Sequence, residues 1–325
     1  RSVSLAGRDG VLANVVQSGG DLGIVSSAGA VVTGALVAPG AVALNAAIGL
    51  TVGGPLAGGG DVRLVSGSAL QLAGDVSAGA GLSLGGASIR ARGVLAGGPM
   101  QIETGQLEAE TLAAGGALEL RALTGVSVSA GVLANGPVRI VVSDGALALG
   151  GPLLSNGALT VTTRSDIGVL GEVGSGAAAS LVSQQGRIAV QGGASAGAGI
   201  TLEAFRQLEL GGDMAARGPI VLRSAMAGVD VAGSIASAGS LSADAPGDIR
   251  FGGDIRVGSE LAVTTTAGAL AFGRTLEVGG AARLATARGI DFGGDSRFFG
   301  ALSVGSAGGP IVNRGHLYSS ADFIE

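Results

Sequence analysis

Apolar residues in this chain come in short alternating triplets and not at helical spacing. Val62-Arg63-Leu64, Leu118-Glu119-Leu120 and Ile220-Val221-Leu222 set their outer residues on one face and their middle residue on the other. That is the period of a half-buried strand. A second triplet follows after a gap of four to six residues: Leu70-Gln71-Leu72, Leu208-Glu209-Leu210, Val229-Asp230-Val231 or Ile249-Arg250-Phe251. A Gly-containing corner and one more apolar residue (Val76, Met214, Ile235 or Ile255) then mark a third short strand. A helix would need apolar residues three and four apart and few glycines, and neither holds.

The unit recurs along nearly the whole chain. Segments from Gly59, Gly115, Gly197, Arg217, Ala238 and Gly279 align, and sixteen repeat starts fall at 1, 19, 39, 59, 79, 97, 115, 135, 156, 176, 197, 217, 238, 258, 279 and 299. Fixed-period self-similarity denotes a solenoid in which each unit packs only on its neighbours. The expected fold is therefore all-β: a single-stranded right-handed parallel β-helix of about 16 coils of about 20 residues, three short strands per coil. At a strand spacing of about 4.8 Å this predicts a rod roughly 75 Å long. Phe251, Phe272 and Phe292 share one register in three consecutive coils and predict an internal aromatic stack. Corner glycines are expected to supply positive φ.

Composition sharpens this picture. With 64 Gly, no Trp and one Tyr among 325 residues, thin layers of Ala, Val, Leu and Ile must replace an aromatic-rich core. Disorder is excluded, because the apolar residues are periodic and only 13% of residues are charged. The net charge is −5, and all 19 basic residues are Arg, scattered without a basic block. A nucleic-acid partner is therefore not expected. Absence of Cys removes disulfides and thiolate chemistry and is compatible with export into an oxidising space. The opening RSVSLAG has no signal-peptide pattern. The nearly uncharged stretch Gly34–Gly60 keeps Pro39, Pro55 and the twenty-residue period, so no stable membrane insertion is expected.

Candidate chemistry is sparse. His316, the one histidine, has no carboxylate near it in sequence and reads as a surface residue. A Gly-Gly-Asp motif recurs at 19–21, 59–61, 211–213, 252–254 and 293–295 and invites a calcium reading. Asp213, Asp254 and Asp295 lie two coils apart, however, with Ser234 and Thr275 between them. A separation of about 9.6 Å is too wide to share one ion, and Asp bonding its own backbone in a turn is the better expectation. Glu108 and Glu110 alternate on one outward face, with no cleft to drive their pKa values apart. Thr160, Thr162 and Thr163, and Thr264 to Thr266, are patches too short for an ice-binding ladder. There is no Walker motif, no Arg-Gly-Asp (residues 8–10 run Arg-Asp-Gly) and no N-glycosylation site.

Coils of eighteen to twenty-one residues leave no long insertion to wall a catalytic cleft. The outward positions of the first strand, Arg63, Ser83, Gln101, Glu119, Arg139, Thr160, Ser180, Thr201 and Val221, make a mixed stripe. If an outward face binds, the second-strand row Glu209, Asp230, Arg250 and Asp291 is the first to consider. No catalytic, cofactor or metal residue is assigned, and the chain is not expected to be an enzyme.

The repeated G-x-ϕ-x-ϕ…ϕ-x-ϕ-G units, with the closing run from Ile311 to Ile324 in which Asn313-Arg314-Gly315 precedes a strand, resemble the repeat shaft of filamentous haemagglutinin-like adhesins. These are large exoproteins of Gram-negative two-partner secretion, and autotransporter passengers share their fold and composition. The resemblance implies a secreted or cell-surface adhesin that attaches to host cells or other bacteria and serves virulence. It also implies an outer-membrane two-partner transporter during export, and a host-cell receptor or glycan as partner. It divides the chain into Ala/Gly-rich repeats over 1–298 and a transition to the Asn-x-Gly repeat over 299–325, one continuous segment excerpted from a longer protein. The terminal SSADFIE reads as a coil cut midway, and the family's secretion domain is not visible. Two alternatives remain: a polysaccharide-acting β-helix enzyme, and a self-assembling surface or biofilm matrix protein.

Overall fold

A computed structural model describes residues 1–320 and the backbone of Phe323–Ile324. The final-repeat expectation therefore lies partly outside the described residues. The chain divides into two compact units, Arg1–Gly157 and Ala158–Glu325. Each is a parallel β-solenoid of eight coils, whose first strands begin at Val3 and end with Val138–Val142 in the first unit and run from Leu159–Thr163 to Leu302–Ser306 in the second, where Phe323–Ile324 pairs with the last of them.

One coil shows how the pattern folds. Val62–Ser66, Ala69–Leu72 and Val76–Ala78 are its three strands, with Val62, Leu64, Leu70, Leu72 and Val76 buried and Arg63 and Gln71 exposed. The first strand is thus longer than the triplet that announced it, and the lone apolar residue of the third marks a strand of three. Each strand pairs in parallel with its counterparts above and below: Val62 with Val42 and Leu82, Leu70 with Leu50 and Ile89, Val76 with Leu56 and Val94. Like aliphatic side chains consequently stack inside, and burying each such side chain contributes about 1.5–3 kcal/mol as an upper figure. The stretch read as potentially membrane-spanning supplies ordinary rungs, Leu36–Ala38, Val42–Ala46, Leu50–Val52 and Leu56–Gly58. Among the described residues no helix is long and apolar enough to cross a membrane.

The corner glycines act differently from expectation. Only Gly10, Gly131 and Gly289 have positive φ. At Gly79, Gly97 and Gly115 the constraint is close approach: a Cβ would strike the carbonyl oxygen of Gly59, Gly79 and Gly97 in the preceding coil. Successive coils touch backbone to backbone there, which only a residue without Cβ allows.

Three consecutive coils abandon the three-short-strands plan. Residues Leu82–Ala96, Met100–Ala114 and Leu118–Ala134 are each one continuous strand through the corners. Leu82 pairs with Met100 and Met100 with Leu118, eighteen residues apart, where the preceding step from Val62 to Leu82 is twenty. The first two of these coils are thus two residues shorter than their neighbours. The longer period returns through register shifts between Thr104 and Gln106 and between Ala109 and Thr111, one extra residue at each of two corners.

Inward Ser and Thr close the corner after the first strand. Ser66 donates to the Ala69 carbonyl at 2.8 Å and accepts from the Ser68 N–H; Thr286 donates to the Gly289 carbonyl and accepts from its N–H at 3.0 Å. The expected aromatic stack is present in the second unit. Phe251, Phe272 and Phe292 are buried, with ring centroids 5.6 and 5.4 Å apart and planes inclined by 20° and 11°.

Candidate functional site

The Gly-Gly-Asp aspartates do not bond their own turns. All five reach one coil onward: Asp21 accepts from the Ala41 N–H, Asp61 from Gly81, Asp213 from Ser234, Asp254 from Thr275 and Asp295 from His316, at 2.8–3.2 Å. The physical reason is the corner. There the main-chain ladder is interrupted, and a carboxylate one residue ahead of the third or first strand supplies the acceptor. Asp166 and Asp248 do the same for Arg187 and Ala269 without the motif. Asp213, Asp254 and Asp295 occupy every second coil, and each is turned onto the next coil's residue, Ser234, Thr275 or His316. Two carboxylates on adjacent rungs would repel and compete for the same role. The Thr275 hydroxyl also donates to Asp254 at 2.7 Å, and these two bonds hold the Asp254 carboxyl below the usual carboxylate range. Among the described residues no group of His, Asp and Glu is arranged to hold a metal ion.

Glu108 and Glu110 face solvent, and each meets an arginine of the preceding coil: Arg90 to Glu108 at 2.8 Å and Arg92 to Glu110 at 3.6 Å. They are two exposed ion pairs flanking an open hollow of about 430 Å³, not an acid and its base. His316 is exposed, and its backbone, not its ring, meets Asp295.

The second-strand row is real: Glu209, Asp230, Arg250, Ala271 and Asp291 lie in register on successive strands. Arg250 sits 3.5 Å from Asp248, and Arg314 grips Asp291 with two parallel bonds of 3.0 Å. Those bonds raise Arg314 above its ordinary value. The first-strand stripe is also in register within each unit, from Arg63 to Arg139 and from Thr160 to Val221. The Thr patches split between faces, Thr160 outward and Thr163 fully buried.

Sequence reasoning did not single out an open groove of about 890 Å³ along the third strands of the second unit. Ala215, Ala236, Gly258 and Gly279 floor it; Arg217, Arg256, Glu277 and Phe299 rim it. Glu277, the carboxylate among its lining residues, lies 3.8 Å from Arg256. The signal for it was the third-strand register, Ser195, Ala215, Ala236, Arg256 and Glu277, which needs the third strand to be placed first. In comparisons with protein-family models, curated proteins and solved structures, the chain matches none.

Proposed function

We propose that this chain is a structural and adhesive shaft segment of a large exported bacterial surface adhesin of the filamentous haemagglutinin-like kind. The observation that carries the reading is uniformity. Coil after coil repeats the same three ladders, with titratable side chains spent on ion pairs and coil-to-coil bonds, as Arg90–Glu108 and Asp254–Thr275 illustrate. Such a stack gains stability from summed neighbour interfaces and serves to hold binding regions at a distance. The Asn313 side chain closes its turn by donating to the Gly315 carbonyl at 2.9 Å, which supports the likeness to the family's second repeat type. Attachment to host cells or other bacteria, export through an outer-membrane two-partner transporter and a surface or secreted location belong to the same proposal.

The test is binding of the purified, folded chain to a broad glycan array and to cultured cells, with circular dichroism confirming the β fold. Saturable binding lost on replacing Glu209, Asp230 and Arg250 together supports adhesion through this segment. Binding nowhere, with cooperative unfolding, supports shaft alone. Turnover of a polysaccharide would overturn the proposal in favour of an enzyme.

A further inference from the structure

Of the chain's asparagines, Asn135 and Asn156 are each followed by glycine, whereas Asn14, Asn45 and Asn313 precede Val15, Ala46 and Arg314. The two Asn-Gly pairs occupy the same corner in consecutive coils. Asn135-Gly136 leaves the strand Leu118–Ala134 before Val138–Val142, and Asn156-Gly157 leaves Leu153–Ser155 before Leu159–Thr163. Both asparagines are exposed, and their side chains meet, Asn156 donating to the Asn135 side-chain carbonyl at 3.3 Å. Packing dictates the glycines. A Cβ at Gly136 would come 2.8 Å from the Gly116 carbonyl carbon, and one at Gly157 would come 2.7 Å from the Pro137 nitrogen. The fold thus leaves no side chain to shield the peptide nitrogen that follows either asparagine.

We propose that Asn135 and Asn156 are paired sites of hydrolytic modification, at which water converts both side-chain amides to carboxylates. The Gly136 nitrogen gives its proton to hydroxide and attacks the Asn135 Cγ. A C–N bond closes a succinimide ring, and the side-chain nitrogen takes a proton from water and leaves as ammonia. Water then opens the ring at either carbonyl, giving aspartate or isoaspartate, with nothing oxidised or reduced. Gly157 and Asn156 react in the same way. The Gly136 N–H donates to the Gly116 carbonyl at 3.0 Å and the Gly157 N–H to the Ser155 hydroxyl at 3.2 Å, so the step waits on local opening of the corner. For the aspartate products, stacking makes the two events unequal. A carboxylate at one position still accepts from the amide at the other, through a charge-assisted bond stronger than the amide–amide one. A second carboxylate removes that donor and sets like charges on adjacent rungs, which repel. The first conversion is therefore tolerated and the second loosens the corner, independently of the adhesin reading.

Incubating the whole folded chain in mildly alkaline buffer and mapping its peptides by mass spectrometry tests the sites. Amide should be lost at Asn135 and Asn156 and kept at Asn14, at Asn313 and at Asn45, which is held within the strand Val42–Ala46. Retention of both amides while a free peptide of sequence 133–138 converts fully overturns the proposal, as does equal loss at Asn45. Variants then isolate the charge effect. Asn135→Asp and Asn156→Asp should each keep the parent's urea midpoint, and the two together should lower it, more in low salt than in high. A double variant as stable as either single one overturns the pairing.

Discussion

The two units solve one packing problem with different residues. All seven phenylalanines of the chain lie in the second unit, and the first fills its coils without an aromatic ring. At the inward end of the third strand the first unit keeps Ala38, Ala78, Ala96, Ala114 and Ala134, whereas the second progresses to Val257, Val278 and Phe298. Interior volume per coil is fixed by the strand ladders, so a larger side chain in one row demands a smaller one in another. The coil of Phe292 and Phe298 makes the exchange visible. Between them stands Ser296, in the row that holds Ile235, Ile255 and Leu276 in the three preceding coils. Ser296 is wholly buried, and its hydroxyl has no hydrogen-bond partner. The second unit therefore accommodates its aromatic rings at the cost of an unpaired polar atom.

The largest expected break in the comparison is Phe272→Ala. Removing the middle ring of the stack should cost about 3–5 kcal/mol. Amide exchange would show the loss concentrated in the second unit; uniform loss over both units would contradict the division. In the first unit the corresponding weak point is a corner, not a ring. Gly97→Val drives a side chain into the Gly79 carbonyl and should destabilise by about 1–3 kcal/mol in urea titrations. Smaller gains come from the unpaired hydroxyls, one per unit among the described residues. Thr33→Val and Ser296→Ala should each raise stability by about 1 kcal/mol, read as a higher urea midpoint at unchanged slope. A drop in midpoint for either would mean that the hydroxyl is satisfied in solution.

The smallest effect concerns pH. Because Asp254 is held below its ordinary value, its contribution is present above the unfolded carboxylate value of about 3.9 and is lost as pH falls through the lower folded value. Asp254→Asn should flatten the acid limb in that window by slightly lowering stability at neutral pH, where the carboxylate's contribution is present, and leaving the low-pH end unchanged. An acid limb identical to the parent's would remove Asp254 from the account.

Much of this was legible in the chain. The alternating triplets placed the first and second strands, and the register of Phe251, Phe272 and Phe292 foretold their stacking. Both follow from spacing alone, since residues one period apart must meet when a coil closes. The outward rows from Glu209 to Asp291 and from Arg63 to Arg139 were likewise fixed by counting. What counting missed was direction. Asp21 and Asp254 could serve their own turn or the coil beyond, and both choices have the same sequence. The rim of the groove, with Arg217 and Phe299 projecting beside Gly258 and Gly279, also escaped, because its residues are brought together only by the third corner.

Sequence by itself determined the period, the parallel all-β stacking and which side chains face inward, because alternation and repeat length are one-dimensional properties. Only the tertiary structure decided why the corners need glycine, where three coils straighten into continuous strands, and to which coil each aspartate belongs. These depend on how closely one backbone lies on the next. That distance is set by the packing of neighbouring coils and is written in no single one of them.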